Sequence, residues 1–139
     1  RLSDADSEAV SRALAATGML ALRDRDAFTL SGGEAARMHL ARALAAETPA
    51  LFADEPTSSL DPRHQVAIMD VLSAKAAGGG LVIAALHDLD LALRCCTRII
   101  AMNEGRIVAD GPAAQALDEA RLAEVFGVVR DARGYRLSP

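Results

Sequence analysis

The run at residues 81–86, Leu-Val-Ile-Ala-Ala-Leu, lies between the glycine triplet 78–80 and His87. This longest unbroken apolar run is far short of the roughly 20 residues that cross a bilayer. Without polar alternation it is expected to form a parallel strand covered on both faces. A second short apolar segment, residues 50–53, is read as a buried strand that leads straight into Asp54 and Glu55. Helical patterns surround both, and apolar strands alternating with helices at this spacing make an α/β layered sheet. In such sheets ligands sit at the carboxyl ends of the strands.

The flanking elements follow from local signals. Residues 6–17 place Val10, Leu14 and their alanine neighbours at helical spacing, and Gly18 stands where the helix must stop. Another helix is expected after Ser31, through Met38, Ala41 and Leu44, ending before Pro49. Asp61 and Pro62 read as an N-cap and a first-turn proline, opening a helix towards Lys75. Asp88 caps a short helix through Arg94. Asn103, Glu104 and Gly105 separate two apolar segments as a hairpin turn would. A last amphipathic helix is expected over 117–126, stopped by Gly127.

Composition narrows the function classes. With 139 residues and 51% hydrophobic content the chain is large and apolar enough for a core. A net charge of −4 provides no overall basic field to draw in nucleic acid or an anionic membrane. The chain starts at Arg1 without a basic and apolar leader, and reads as a piece of something longer. Adjacent Cys95 and Cys96 have neither the geometry for an ordinary disulfide nor metal-ligand spacing. Both read as buried, reduced thiols, in keeping with a reducing compartment.

Three segments carry chemistry. Ser31 and Glu34 have the spacing of a capping box, but Gly32 and Gly33 between them cost helix stability, roughly 0.5 to 1 kcal/mol each relative to alanine. Something must gain from their missing side chains, and bare N–H groups at a helix N-terminus can be approached closely by a phosphate. Asp54 and Glu55 put two carboxylates at a strand end. One can serve a hard cation such as magnesium through water while the other faces an attacking water as base or positioner. His87 follows the second strand directly, where an imidazole could hydrogen-bond a terminal phosphate oxygen. His39 and His64 fall within expected helices and read as surface residues without a role.

Leu30–Glu34 (LSGGE), residues 54–61 (DEPTSSLD) and residues 86–88 (LHD) occur in this order at intervals that resemble the ABC ATPases. Leu30, Ser31, Gly32, Gly33 and Glu34 are similar to the family's signature, residues 51–55 to its Walker B segment, and residues 58–61, with Ser59, Leu60 and Asp61, to its D-loop. His87 is similar to its switch histidine. The resemblance implies the C-terminal part of a P-loop NTPase layered sheet. Residues 1–48 would end the helical subdomain and hold the signature helix. Residues 49–111 would be the Walker B, D-loop and switch-histidine part of the core with its terminal hairpin, and residues 112–139 a C-terminal helix and tail. It also implies that ATP is sandwiched between two subunits arranged head to tail. Ser31, Gly32 and Gly33 would then act in trans, and Glu55, His87 and the Mg2+-associated Asp54 in cis.

Glu34 stands where the family most often has glutamine, and Ala36 where another is common, although Arg37 is in place. No G-x-x-x-x-G-K-[ST] sequence occurs in the chain, and the adenine-stacking aromatic and Q-loop are expected upstream. The chain alone is therefore expected not to hydrolyse ATP. The ABC-type ATPases of DNA repair or translation are an alternative, but a coiled coil before the signature would need sustained heptads, which residues 4–25 lack. Another is an inert fragment that acts only as a binding module. The segment 106–112 (RIVADGP) and the following helix are similar to importer ATPases for iron-siderophore, haem and cobalamin. The partners so implied are a second ATPase subunit and transmembrane permease subunits at the cytoplasmic face, with no nucleic acid and an iron chelate or haem as cargo.

Overall fold

The computed structural model describes residues 3–58, 60–132 and 134–138. The chain divides into two compact units, one ending at His87 and the other beginning at Asp88.

In the first unit, Ser3 caps α1 (Asp4–Ala16) through a reciprocal pair of hydrogen bonds with Asp6. Gly18, at φ +68°, turns the chain out of this helix. Helix α2 (Gly32–Ala45) packs along α1, and strand β1 (Ala50–Asp54) follows. Helix α3 (Pro62–Ala77) then starts at the Asp61 cap and returns the chain to β2 (Leu81–Ala85). The strands pair in parallel, from Ala50 opposite Leu81 to Asp54 opposite Ala85, so their carboxyl ends emerge side by side. Helix α3 packs on β2, and Leu51, Ile68, Met69 and Leu72 are buried.

The opposite face of this pair departs from the expected burial. Phe52 is 71% exposed, and Leu81 and Ile83 about half exposed, so the unit covers one face only. A parallel strand is apolar on both sides because helices normally lie on both; the described elements of this unit cover only one.

In the second unit, α4 (Leu89–Cys95) precedes an antiparallel hairpin of β3 (Arg98–Asn103) and β4 (Arg106–Pro112). Glu104 and Gly105 both have positive φ, as a two-residue turn that follows the strand twist demands. A short helix, α5 (Ala113–Ala116), leads to α6 (Glu119–Phe126). Ala101, Ala109, Ala116, Leu117 and Leu122 form the core, with Leu89, Leu93, Ile99, Val128 and Tyr135 packed around it.

The last helix begins later than its apolar pattern suggests. Asp118 accepts a hydrogen bond from the Arg121 amide and caps α6, leaving Leu117 outside the helix as a buried core residue. A hairpin of β5 (Val128–Asp131) and β6 (Gly134–Leu137) then closes the unit, an element too short and too charged for its periodicity to announce. Its anchor is Asp90 on α4, which accepts from Tyr135 Oη at 3.2 Å and pairs with Arg130 at 2.9 Å. Cys95 and Cys96 are free thiols, as expected, but only half-buried. Burial pushes the Cys96 thiol upward in pKa. Among the described residues, no helix is long and apolar enough to cross a membrane.

Candidate functional site

The glycine-bearing turn forms as its residues dictate. Leu30 leaves a 3-10 turn (Ala27–Thr29) in extended conformation, and Ser31 caps α2. The Ser31 amide donates to Glu34 Oε2 at 2.8 Å, and the Glu34 amide donates to Ser31 Oγ at 3.4 Å, which completes the capping box. This box alone would not require glycine between its ends. Neither Gly32 nor Gly33 has positive φ, and a methyl group at Gly32 would meet nothing within 4 Å. At Gly33 it would meet Leu60 Cδ2 at 3.7 Å and Arg37 Nη1 and His64 Nδ1 at 3.9 Å, all ordinary contacts. The fold of this chain therefore tolerates alanine at both positions, and the glycines leave backbone amides bare at an exposed helix N-terminus.

Glu34 is sensitive to acid through the same box. Hydrogen bonds from the Ser31 amide, and next from its hydroxyl, hold the Glu34 carboxyl below the usual carboxylate range. Its folded pKa is lower than its unfolded one, so the unfolded chain binds more protons between the two. The stability it contributes is complete at neutral pH and is lost as pH falls through the depressed folded value. A plot of thermal midpoint against pH should thus fall more gently in the acid range for Glu34→Gln than for the parent. Superimposable slopes would show that the box contributes nothing.

At the carboxyl end of the parallel pair, the Glu55 amide donates to the Ala85 carbonyl at 3.0 Å, extending the ladder one residue past β1. Glu55 is held there at φ +42°, in the left-handed region that non-glycine residues seldom occupy. Such strain clusters where a function needs the side chain in one place. The His87 ring reaches the same spot, with Nδ1 3.7 Å from Glu55 Oε2. That distance is too long for a hydrogen bond, so the two groups face each other without being joined, and both remain more than half exposed. Asp54 ends β1 on the Phe52 side of the pleat and is exposed. Asp54, Glu55 and His87 thus all lie at the carboxyl end of the strand pair.

From Glu55 the chain makes a tight turn over residues 56–58. The Ser58 amide donates to the Glu55 carbonyl at 3.0 Å, and the Leu60 amide to the Thr57 carbonyl at 3.4 Å. Thr57 is buried, and Gln65 of α3 donates to its carbonyl at 3.3 Å, tying the turn back to the helix. Asp61 caps α3 by accepting from the His64 amide at 3.1 Å. Ser59, expected in this loop, lies outside the described residues. His64 is the residue that sequence reasoning missed. Half-buried and not fully at the surface, it sets Nδ1 2.5 Å from Asp61 Oδ2 and 3.9 Å from where a Cβ on Gly33 would stand. The Asp-Pro-x-His spacing is the one signal that could have found it, since it returns the ring to the cap it follows. Bonding to the His64 ring, and then to its amide, holds the Asp61 carboxyl below the usual range.

Residues 3–58 match the ABC transporter family. The hemin import ATP-binding protein HmuV of Agrobacterium fabrum is 42% identical over 134 residues, which is 91% of this chain and 52% of that protein. The cobalamin import ATP-binding protein BtuD of Halobacterium salinarum is 45% identical over 106 residues, 76% of this chain and 27% of that protein. Among solved structures, cbiO1 of Clostridium perfringens, part of the ABC transporter complex cbiONQ, is similar at a TM-score of 0.74 and 31% identity. That match covers 89% of this chain and 50% of that one. A metal-chelate type ABC transporter in an inward-facing conformation shares the fold at a TM-score of 0.83 and 21% identity, over 98% of this chain and 57% of that one. The chain spans about half the length of relatives such as HmuV. The chain is thus similar to ABC transporter ATP-binding proteins and has the fold of the C-terminal part of the ABC ATPase structures it matches.

Proposed function

We propose that this chain is the C-terminal part of the ATP-binding and ATP-hydrolysing subunit of an ABC importer, one that takes up haem or an iron chelate. The observation that carries the ATPase reading is the convergence of Asp54, a strained Glu55 and His87 at the carboxyl end of a parallel strand pair. Hydrolysis needs a group facing the attacking water and another facing the terminal phosphate. Glu55 takes the first role and His87 the second. Two neighbouring carboxylates are hard oxygen donors, and Mg2+ takes one or two of these while phosphate and water complete its shell. Asp54 would hold it through water, and the metal when bound supplies charge neutralisation at the phosphate oxygens.

Leu30, Ser31, Gly32, Gly33 and Glu34 cap the nucleotide of a second subunit in trans, and Ser59, Leu60 and Asp61 form the D-loop between the two sites. Residues 1–48 end the helical subdomain, 49–111 belong to the nucleotide-binding core and 112–139 form the C-terminal helix and tail. The partners are a second copy in head-to-tail arrangement and a permease reached from the cytoplasmic face. The cargo reading leans on the similarity to hemin and cobalamin import proteins.

The test is phosphate release from ATP and Mg2+. The full-length protein is expected to turn over and the 139-residue chain alone to be inactive, because the chain contains no G-x-x-x-x-G-K-[ST] sequence. Turnover by the chain alone that Glu55→Gln abolishes would overturn that division. A full-length protein that binds no nucleotide would overturn the reading altogether.

A further inference from the structure

Resting on the ATPase reading above, the geometry points to His64 as a positioning residue that locks the D-loop to the first turn of the signature helix. Two observations meet at its ring, and a third lies beside it on the same side of Gly33. Nδ1 lies 2.5 Å from Asp61 Oδ2, so one residue engages both carboxylate oxygens of Asp61, the first by its amide and the second by its imidazole. The same Nδ1 is 3.9 Å from where a Cβ on Gly33 would stand, alongside Leu60 Cδ2 at 3.7 Å. Arg37 Nη1, a buried nitrogen with no hydrogen-bond partner among the described residues, completes the floor at 3.9 Å. The turn that presents bare amides to a phosphate therefore rests on two residues whose places are set by the Asp61 cap.

A cap by itself needs none of this. The cap bond comes from the backbone amide of His64, and any residue at position 64 would supply it. What the ring adds is a second bond that stops the Asp61 carboxylate from rotating, and an edge that stands 3.9 Å from where a Cβ on Gly33 would be. In a head-to-tail dimer the signature and D-loop face the same interface, so a junction between them lets the interface register with both at once. Losing the lock is expected to impair a step after nucleotide binding.

In the full-length protein, His64→Leu keeps the volume and the backbone cap but removes the bond to Asp61. It is expected to lower kcat at least tenfold with KM for ATP and thermal midpoint nearly unchanged. His64→Asn sets an amide nitrogen close to the place of Nδ1 and is expected to recover most of the lost rate. Glu55→Gln serves as the control for the reading beneath the proposal. If Glu55→Gln abolishes turnover while His64→Leu leaves kcat intact, the lock is refuted and the ATPase reading stands. A parallel loss of kcat and thermal midpoint, without rescue by asparagine, would make His64 merely structural and also refute it. If the parent shows no turnover, both fall together.

Discussion

Glu55→Gly is expected to raise the thermal midpoint of the chain while it removes ATP hydrolysis from the full-length protein. Glu55 sits at φ +42° and has an exposed side chain, with His87 Nδ1 3.7 Å from its Oε2. A non-glycine residue in that region costs about 1 kcal/mol or more, whereas glycine occupies it freely. Glycine also loosens the unfolded chain, which offsets part of the gain. A net rise of about 0.5 to 1 kcal/mol, a few degrees in midpoint for a chain of this size, is the expected result. Removing the group proposed to face the attacking water should lower kcat by about 100- to 10,000-fold, with KM for ATP little changed. Glu55→Gln separates the two effects, because it keeps a Cβ at positive φ and should match the loss of rate without the gain in stability. A glycine variant that unfolds earlier than the parent, or that still turns over, would contradict the assignment.

Alanine at Gly32 or Gly33 should likewise stabilise the chain and disable the site. Both positions lie in the first turn of α2, where alanine is favoured over glycine by up to about 1 kcal/mol. The surroundings leave room for a methyl group at each. What alanine obstructs is the approach of a phosphate to bare amides, and one such contact is worth roughly 3 to 4 kcal/mol, or some hundreds-fold in rate. Because the turn is proposed to act on the nucleotide of the other subunit, a mixed dimer distinguishes the arrangement. One subunit carrying Gly33→Ala and one carrying Glu55→Gln would concentrate both defects in one composite site and leave the other intact, so turnover should return. Two inactive sites in that mixed dimer would mean that the signature acts within its own subunit. Alanine variants that melt earlier would instead mean that the glycines serve this chain's own fold.

Local physical chemistry made most of the element boundaries legible. The Ser31–Glu34 box, the Asp61 cap with Pro62 in the first turn, and the Asp88 cap each involve groups three or four residues apart, and each forms where its spacing requires. The start of α6 was not legible, since a continuous apolar pattern conceals a change of direction at Leu117 that only the Asp118 cap marks. The β5–β6 hairpin was missed for a related reason. Four-residue strands carry little periodicity, and what secures this one is Asp90 on α4, 40 or more residues away in sequence from Arg130 and Tyr135.

The candidate site divides along the same line. Sequence alone determined which residues could do the chemistry, because carboxylates and an imidazole at strand ends are set by order along the chain. Tertiary structure decided that Glu55 is strained, that His87 faces it without bonding, that the glycines are free of steric need and that the His64 ring stands 3.9 Å from where a Cβ on Gly33 would be. It also decided that the Phe52, Leu81 and Ile83 side of the sheet stays open. A backbone dihedral, a contact between residues 31 positions apart and the exposure of a strand face are all set by how separate elements pack. No local pattern encodes packing, because the energy that fixes it comes from surfaces that meet only after the chain has folded.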